Sequence, residues 1–220
     1  MRIASCFVLS LAGLLLVGSI AGATPSSIIL IPSTDVVDEG VVHMDLDTLF
    51  TVSQGGGNAS ALSIGATYGV FEDVEVGFDW LSDTTNPLVG NIKWQPYSND
   101  EIAIAIGAWL CGDNTSSGAN QFYGLVSYDS DIGRFAAGGA FGSKTNLGMD
   151  ENQLWLSYDK ALDDEWWVGA DYVSGDSWLG SLNVGVGYAV ADNAGLILGY
   201  NSYNAGGPGT LTMQVDVNFN

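Results

Sequence analysis

Basic residues are almost missing from this chain. Its 220 residues carry 5 Lys and Arg against 25 Asp and Glu, a formal net charge of −20. A nucleic-acid binder meets phosphates with a basic stripe, so that class is excluded. Histidine is scarcer still, with His43 alone. One His and no H-x-x-H spacing leave no zinc-type constellation, and no metal or cofactor is expected. The two cysteines, Cys6 and Cys111, make no disulfide framework. Beyond the first two dozen residues no apolar run is long enough for a membrane-spanning helix. What is present excludes disorder: 47% hydrophobic residues, with 7 Trp, 9 Tyr and 8 Phe, hold too much apolar surface for a solvated coil. There are also 30 glycines, and only 14% of residues are charged. A chain this apolar and this acidic needs an unusual place for both properties.

The N-terminus indicates the place. Arg2 is followed by an apolar run from Cys6 to Ile20, then by Ala21-Gly22-Ala23, a small-residue cleavage signature before Thr24 and Pro25. This predicts a secretory signal peptide over 1–23. Its removal leaves four basic residues against 25 acidic ones, and Cys111 as the single thiol. The expected organisation is the signal peptide 1–23, a lead-in segment 24–40 and one folded unit over 41–220.

Within that unit aromatic residues recur. Tyr68, Tyr97, Tyr128, Tyr158 and Tyr188 are spaced 29, 31, 30 and 30 residues apart, and Phe219 follows 31 later. About thirty residues suit one hairpin of two ten-residue strands, a tight turn and a longer loop. Each segment that ends at an aromatic alternates with period two. Leu182, Val184, Val186 and Tyr188 share one phase, and Ser181, Asn183, Gly185 and Gly187 share the other. The pattern predicts twelve strands, near 41–52, 59–69, 73–82, 87–97, 101–111, 120–128, 132–142, 152–158, 165–174, 178–189, 194–201 and 209–219. In 87–97 the phase of Ile92 and Trp94 disagrees with Tyr97, and Pro96 cannot donate to a ladder, so a bulge is expected there.

An even number of antiparallel strands, apolar on one face and small and polar on the other, can close into an up-and-down barrel. Here the sequence resembles the outer-membrane β-barrels, on the alternating segments, the repeating aromatics and the near-terminal Phe219. The resemblance covers nearly all of 41–220. Asn220 departs from it, because these proteins usually end on the aromatic. Ile31-Pro32-Ser33-Thr34-Asp35-Val36, with Gly40 and His43, resembles the lead-in of a group of secreted barrels to which no activity attaches. The resemblance implies an outer-membrane location, lipid as a partner and a porin-like role. A soluble secreted two-sheet sandwich that binds a partner would alternate as well. Its outer polar face would carry many Lys, Arg and Glu, whereas here that face is mostly Gly, Ala, Ser and Asn.

The acids sort by position. Eleven fall at the short turns after the aromatics, which the resemblance makes periplasmic, and Asp35, Asp38 and Glu39 precede the first strand. Six fall mid-strand in the polar phase: Asp45, Asp47, Glu75, Asp79, Asp171 and Asp216. On a lipid face each would be costly, so all six should point inward, as should His43. Trp80, Ile104, Val184, Leu198 and Met213 should face lipid. The six aromatics Tyr68, Tyr97, Tyr128, Tyr158, Tyr188 and Phe219 should form one girdle at the headgroup level.

No loop is long enough for an elaborate plug. Trp109, Trp155 and Trp167 also fall inward and could narrow the lumen. Lys93 and Arg134 are too few to pair six acids, so water should accompany the rest, and a wet negative lumen would pass small polar solutes with cations preferred. The rival reading is a non-conducting barrel that anchors the envelope or binds a partner. No enzyme is expected: His43 lacks a serine-hydrolase signature around any serine. Gly55-Gly56-Gly57 precedes no helix and is no phosphate cradle. Asp113-Asn114-Thr115 and Asp150-Glu151-Asn152 read as polar loop tips before they read as Ca²⁺ sites.

Overall fold

The structure is a computed structural model that describes residues 26–52, 60–82, 84–113 and 118–220. The expected leader 1–23, with Arg2 and Cys6, lies outside the described residues. So do Thr24 and Pro25, Gly55-Gly56-Gly57, Asp83 and Asn114-Thr115-Ser116.

Twelve strands follow in order: β1 (Val42–Thr51), β2 (Ser60–Phe71), β3 (Val74–Leu81), β4 (Leu88–Ser98), β5 (Ile102–Cys111), β6 (Gln121–Ser130), β7 (Gly133–Phe141), β8 (Asn152–Ala161), β9 (Trp166–Val173), β10 (Ser181–Ala191), β11 (Ala194–Tyr203) and β12 (Thr210–Phe219). Each pairs antiparallel with its sequence neighbours, and β12 returns to β1. That seam runs from Val42 opposite Phe219 to Thr51 opposite Thr210. Closure leaves no strand as a free edge, which a barrel in lipid requires. The strands are those the alternation predicts, with small differences at their ends. The irregularity expected in β4 is present, with register slips between Gly90 and Ile92 and between Trp94 and Tyr97. The second slip absorbs the phase change beside Pro96, so Ile92, Trp94 and Tyr97 are all exposed.

The outward face is apolar. On β5, Ala103 and Ala105 are buried while Ile102 and Ile106 are exposed. Trp80, Val184 and Leu198 are exposed, and Ile104 and Met213 are half-buried in the same outward phase. Aromatics gather towards both ends. At the end that carries the tight turns, Tyr128, Phe135 and Tyr158 lie in one row. The Phe135 and Tyr158 rings are 5.0 Å apart, and Trp166 and Tyr188 are 4.8 Å apart. Tyr68 and Phe219 flank Val42. At the loop end Phe122 stacks on Phe141 at 5.5 Å.

The interior divides in two. On the side of β6 to β9 it is packed. Trp155 is fully buried, with Trp109 edge-on at 5.8 Å and Tyr123 stacked at 5.4 Å. Leu125, Val173 and Leu179 belong to the same core, and so do Ile28, Ile29 and Ile31 of the lead-in. A short helix, α1 (Lys144–Leu147), caps it with buried Leu147. The lead-in segment, for which the sequence suggests no role, fills the middle of the barrel, although no loop between strands is long enough to do so. From Gly40, bonded to Gly69 O at 2.9 Å, the chain runs inward and turns back in a hairpin. Ser33 N donates to Ser26 O at 2.9 Å and Ile28 N donates to Ile31 O at 2.8 Å. Ile28, Ile29 and Ile31 are each no more than 3% exposed. The reason is local: four consecutive apolar residues, Ile28 to Ile31, cannot stay in water, and glycines leave them room. A Cβ at Gly199 would stand 3.3 Å from Ile29 Cγ2, and one at Gly185 would collide with Ile29 Cδ1.

Candidate functional site

On the other side of the hairpin, towards β1 to β4 and β12, lies a cavity of about 1140 Å³. It extends from His43 and Glu75 near the turn end to Thr51, Tyr203 and Gly206 at the loop end. Strand register builds its acidic wall. Asp45 stands opposite Asp216 on one side and Gly65 on the other, and Gly65 stands opposite Asp79. Three carboxylates therefore occupy one row, with a glycine between the last two. A Cβ at Gly65 would fall on Asp45 Oδ2 and Asp79 Oδ1, so both carboxylates lean over the same bare backbone. Asp47, two residues along β1, faces the same way between Gln214 and Ser63.

The inward acids meet different partners. Glu75 Oε1 is 2.9 Å from Lys93 Nζ, and its Oε2 accepts from Val37 N at 2.7 Å. Asp171 faces inward as expected but does not line the cavity. It lies against the hairpin, where its Oδ2 accepts from Ile29 N and Leu30 N at 2.8 Å each, and its Oδ1 accepts from Asn183 Nδ2 at 2.6 Å. Asp216 Oδ1 is 3.4 Å from His43 Nε2, and His43 Nδ1 is 2.8 Å from Asn218 Oδ1. Arg134 joins Asp159 at 3.0 Å to Asp35 of the lead-in at 2.6 Å. Asn91 Nδ2 donates to Asp79 Oδ2. The two cations inside the barrel, Lys93 and Arg134, are thus engaged by Glu75, Asp35 and Asp159. Asp45, Asp47 and Asp79 are left facing the cavity without a Lys or Arg among the described ion pairs.

Counting bases against acids anticipated unpaired carboxylates, but it omitted backbone N–H groups as partners. The lead-in N–H groups satisfy Asp171 and half of Glu75. The residues that bind the lead-in, Gln95, Ser127 and Gln214, were not singled out from sequence, nor was the pairing of Asp35 with Arg134. The one available signal was the pairing of a short apolar run after the leader with inward glycines on neighbouring strands. The aromatics Tyr68, Tyr97, Tyr128 and Tyr188 are exposed, and Tyr158 and Phe219 are half-buried.

The arrangement suits electrostatics. Like charges along a partly enclosed wall concentrate counter-ions and repel co-ions. Apolar side chains also line the cavity, among them Ile29, Leu30 and Pro32 of the hairpin and Trp109.

No family model matches the chain, and no curated protein does. Among solved structures it is similar to the KdgM porin, at 10% identity and a TM-score of 0.56, over 81% of this chain and 99% of that one. The same porin in complex with disordered oligogalacturonate aligns at 10% identity and a TM-score of 0.53, over 81% of this chain and 98% of that one. The chain therefore shares the closed antiparallel barrel fold of that porin along almost the whole of the porin's length.

Proposed function

We propose that this protein is an outer-membrane channel that admits small solutes by diffusion and prefers cations. The observation that carries the reading is the row Asp216, Asp45 and Asp79, with Asp47 beside it, along one wall of the cavity. The apolar outward face and the aromatics near both ends suit a barrel set in lipid. In that setting the tight turns are periplasmic, the signal peptide 1–23 is removed on export, and the cavity opens through the longer loops. The porin of similar fold is seen with an oligogalacturonate, which is a polyanion. An acidic wall opposes such a solute, so the cargo here differs in charge.

The test is reversal potential in planar bilayers under a KCl gradient, comparing wild type with Asp45→Asn/Asp47→Asn/Asp79→Asn. Wild type should give a cation-favouring potential, and the triple variant should lose most of it. Glu75 is left intact, because it holds Lys93 and the lead-in. Unchanged selectivity would move the field to the charged turns. Absence of conductance would favour the second reading, a non-conducting anchoring barrel, which draws support from the hairpin that fills the middle of the lumen.

A further inference from the structure

We propose that the lead-in hairpin, residues 26–34, is a withdrawable gate that swings out of the lumen toward the turn end and widens the path beside the acidic wall. This rests on the channel reading. Three features support it. First, the barrel is complete without the hairpin. Every strand from β1 to β12 pairs with both neighbours, and among the described residues the lead-in joins the sheet by one isolated bridge, between Glu39 and Gly69. Second, both limbs open the same way. The entering limb starts at Gly40 at the turn end, and the returning limb comes back to the level of Ser33, where Ser26 pairs. The two described limbs therefore leave by the same end of the barrel.

Third, polar side chains of the wall hold the hairpin's backbone, while Ile28, Ile29 and Ile31 pack into the same apolar cluster as Trp155. Gln214 Nε2 donates to Ile29 O at 2.6 Å, Gln95 Nε2 to Thr34 O at 2.8 Å, and Lys93 Nζ to Asp35 O at 2.6 Å. With Asp171, these side chains mostly grip backbone groups. These hydrogen bonds can exchange hairpin for water at small net cost, so the burial of Ile28, Ile29 and Ile31 is what holds the gate shut at rest. Asn183 is fully buried beside Asp171, and its Oδ1 has no hydrogen-bond partner among the described residues. Withdrawal would let solvent reach that oxygen, which favours the open state. Because Ile29, Leu30 and Pro32 line the cavity together with the acids, the hairpin's position sets its width.

Two measurements test the gate. Thr34 Oγ1 and Ser127 Oγ are 2.8 Å apart, so Thr34→Cys/Ser127→Cys places two thiols in reach of one another. In a Cys111→Ala background this pair should form a disulfide that holds the hairpin in. Oxidised single channels should stay at one low level. Reduction should add a level roughly two-fold higher or more, because the lumen then loses its central obstruction. Separately, Asn183→Cys in the same background reports withdrawal without any need for conduction. A charged thiol reagent should modify it in intact protein, and much faster once residues 26–36 are deleted. Channels that conduct identically oxidised and reduced overturn the gate and leave the channel reading standing. An introduced thiol at position 183 that reacts only in the deletion variant also overturns the gate, since the hairpin is then a fixed plug. Absence of conductance in every variant, with that thiol still reactive, overturns the channel reading and the gate with it.

Discussion

Gly65 shows how the charged row depends on an absent side chain. Asp45 and Asp79 lean across it from the strands on either side, and any Cβ there meets their oxygens. Gly65→Val should therefore overpack the wall, at about 1–3 kcal/mol, read from denaturant titration of the barrel in lipid. A variant as stable as the parent would mean that the carboxylates have room to turn away. The Glu75–Lys93 pair makes a second case, with both side chains nearly buried. Lys93→Met leaves Glu75 charged without its partner, a loss of about 3–5 kcal/mol for a pair broken on one side. Changing Glu75→Gln as well should recover much of that loss, because the amide oxygen can still accept from Val37 N. At this scale the inward placement of the acids was legible, since phase decides which face a side chain takes. Their partners were not. Asp171 finds two N–H groups more than 140 residues away in sequence, and backbone donors leave no trace in composition.

Among the elements, the strands were legible because period two is written into them residue by residue. The slip beside Pro96 was legible as well, since a phase conflict and a missing donor occur together. The hairpin was not. Residues 26–34 carry no period, and their apolar run is too short to assign to an element. What folds them is the space above Gly185 and Gly199, which belongs to β10 and β11. β10 supplies a test of the outward face. Val184 is exposed in the apolar phase between buried Asn183 and small Gly185. In lipid, Val184→Arg should cost about 2–4 kcal/mol if the site lies near the midplane, measured by folding titration into vesicles. Near-equal stability would argue against lipid around β10.

For the whole molecule, the outer surface and the lumen wall make opposite electrostatic demands, and the barrel meets both by alternation. Lumen selectivity should be a screened effect. Raising salt from about 0.1 M to about 1 M shortens the Debye length from about 10 Å to about 3 Å, so the cation preference should shrink across that range. Reversal potentials at fixed gradient ratio measure it, and a preference independent of salt would point to a narrow binding site instead of a charged wall. The seam between β1 and β12 carries one more consequence, for the order of assembly. The two strands that close the barrel are the two farthest apart in sequence, so closure has the largest loop to bring together and should be the slow step of folding. The hairpin is tethered directly to β1, one lip of that seam. Until the lips meet, it has a sheet to lie on but no chamber to enter. Its insertion and the closing of the seam should then share one time course, with Trp155 fluorescence and Ile29 burial maturing together. A barrel that closes first would have to admit the hairpin later, as a distinct second phase.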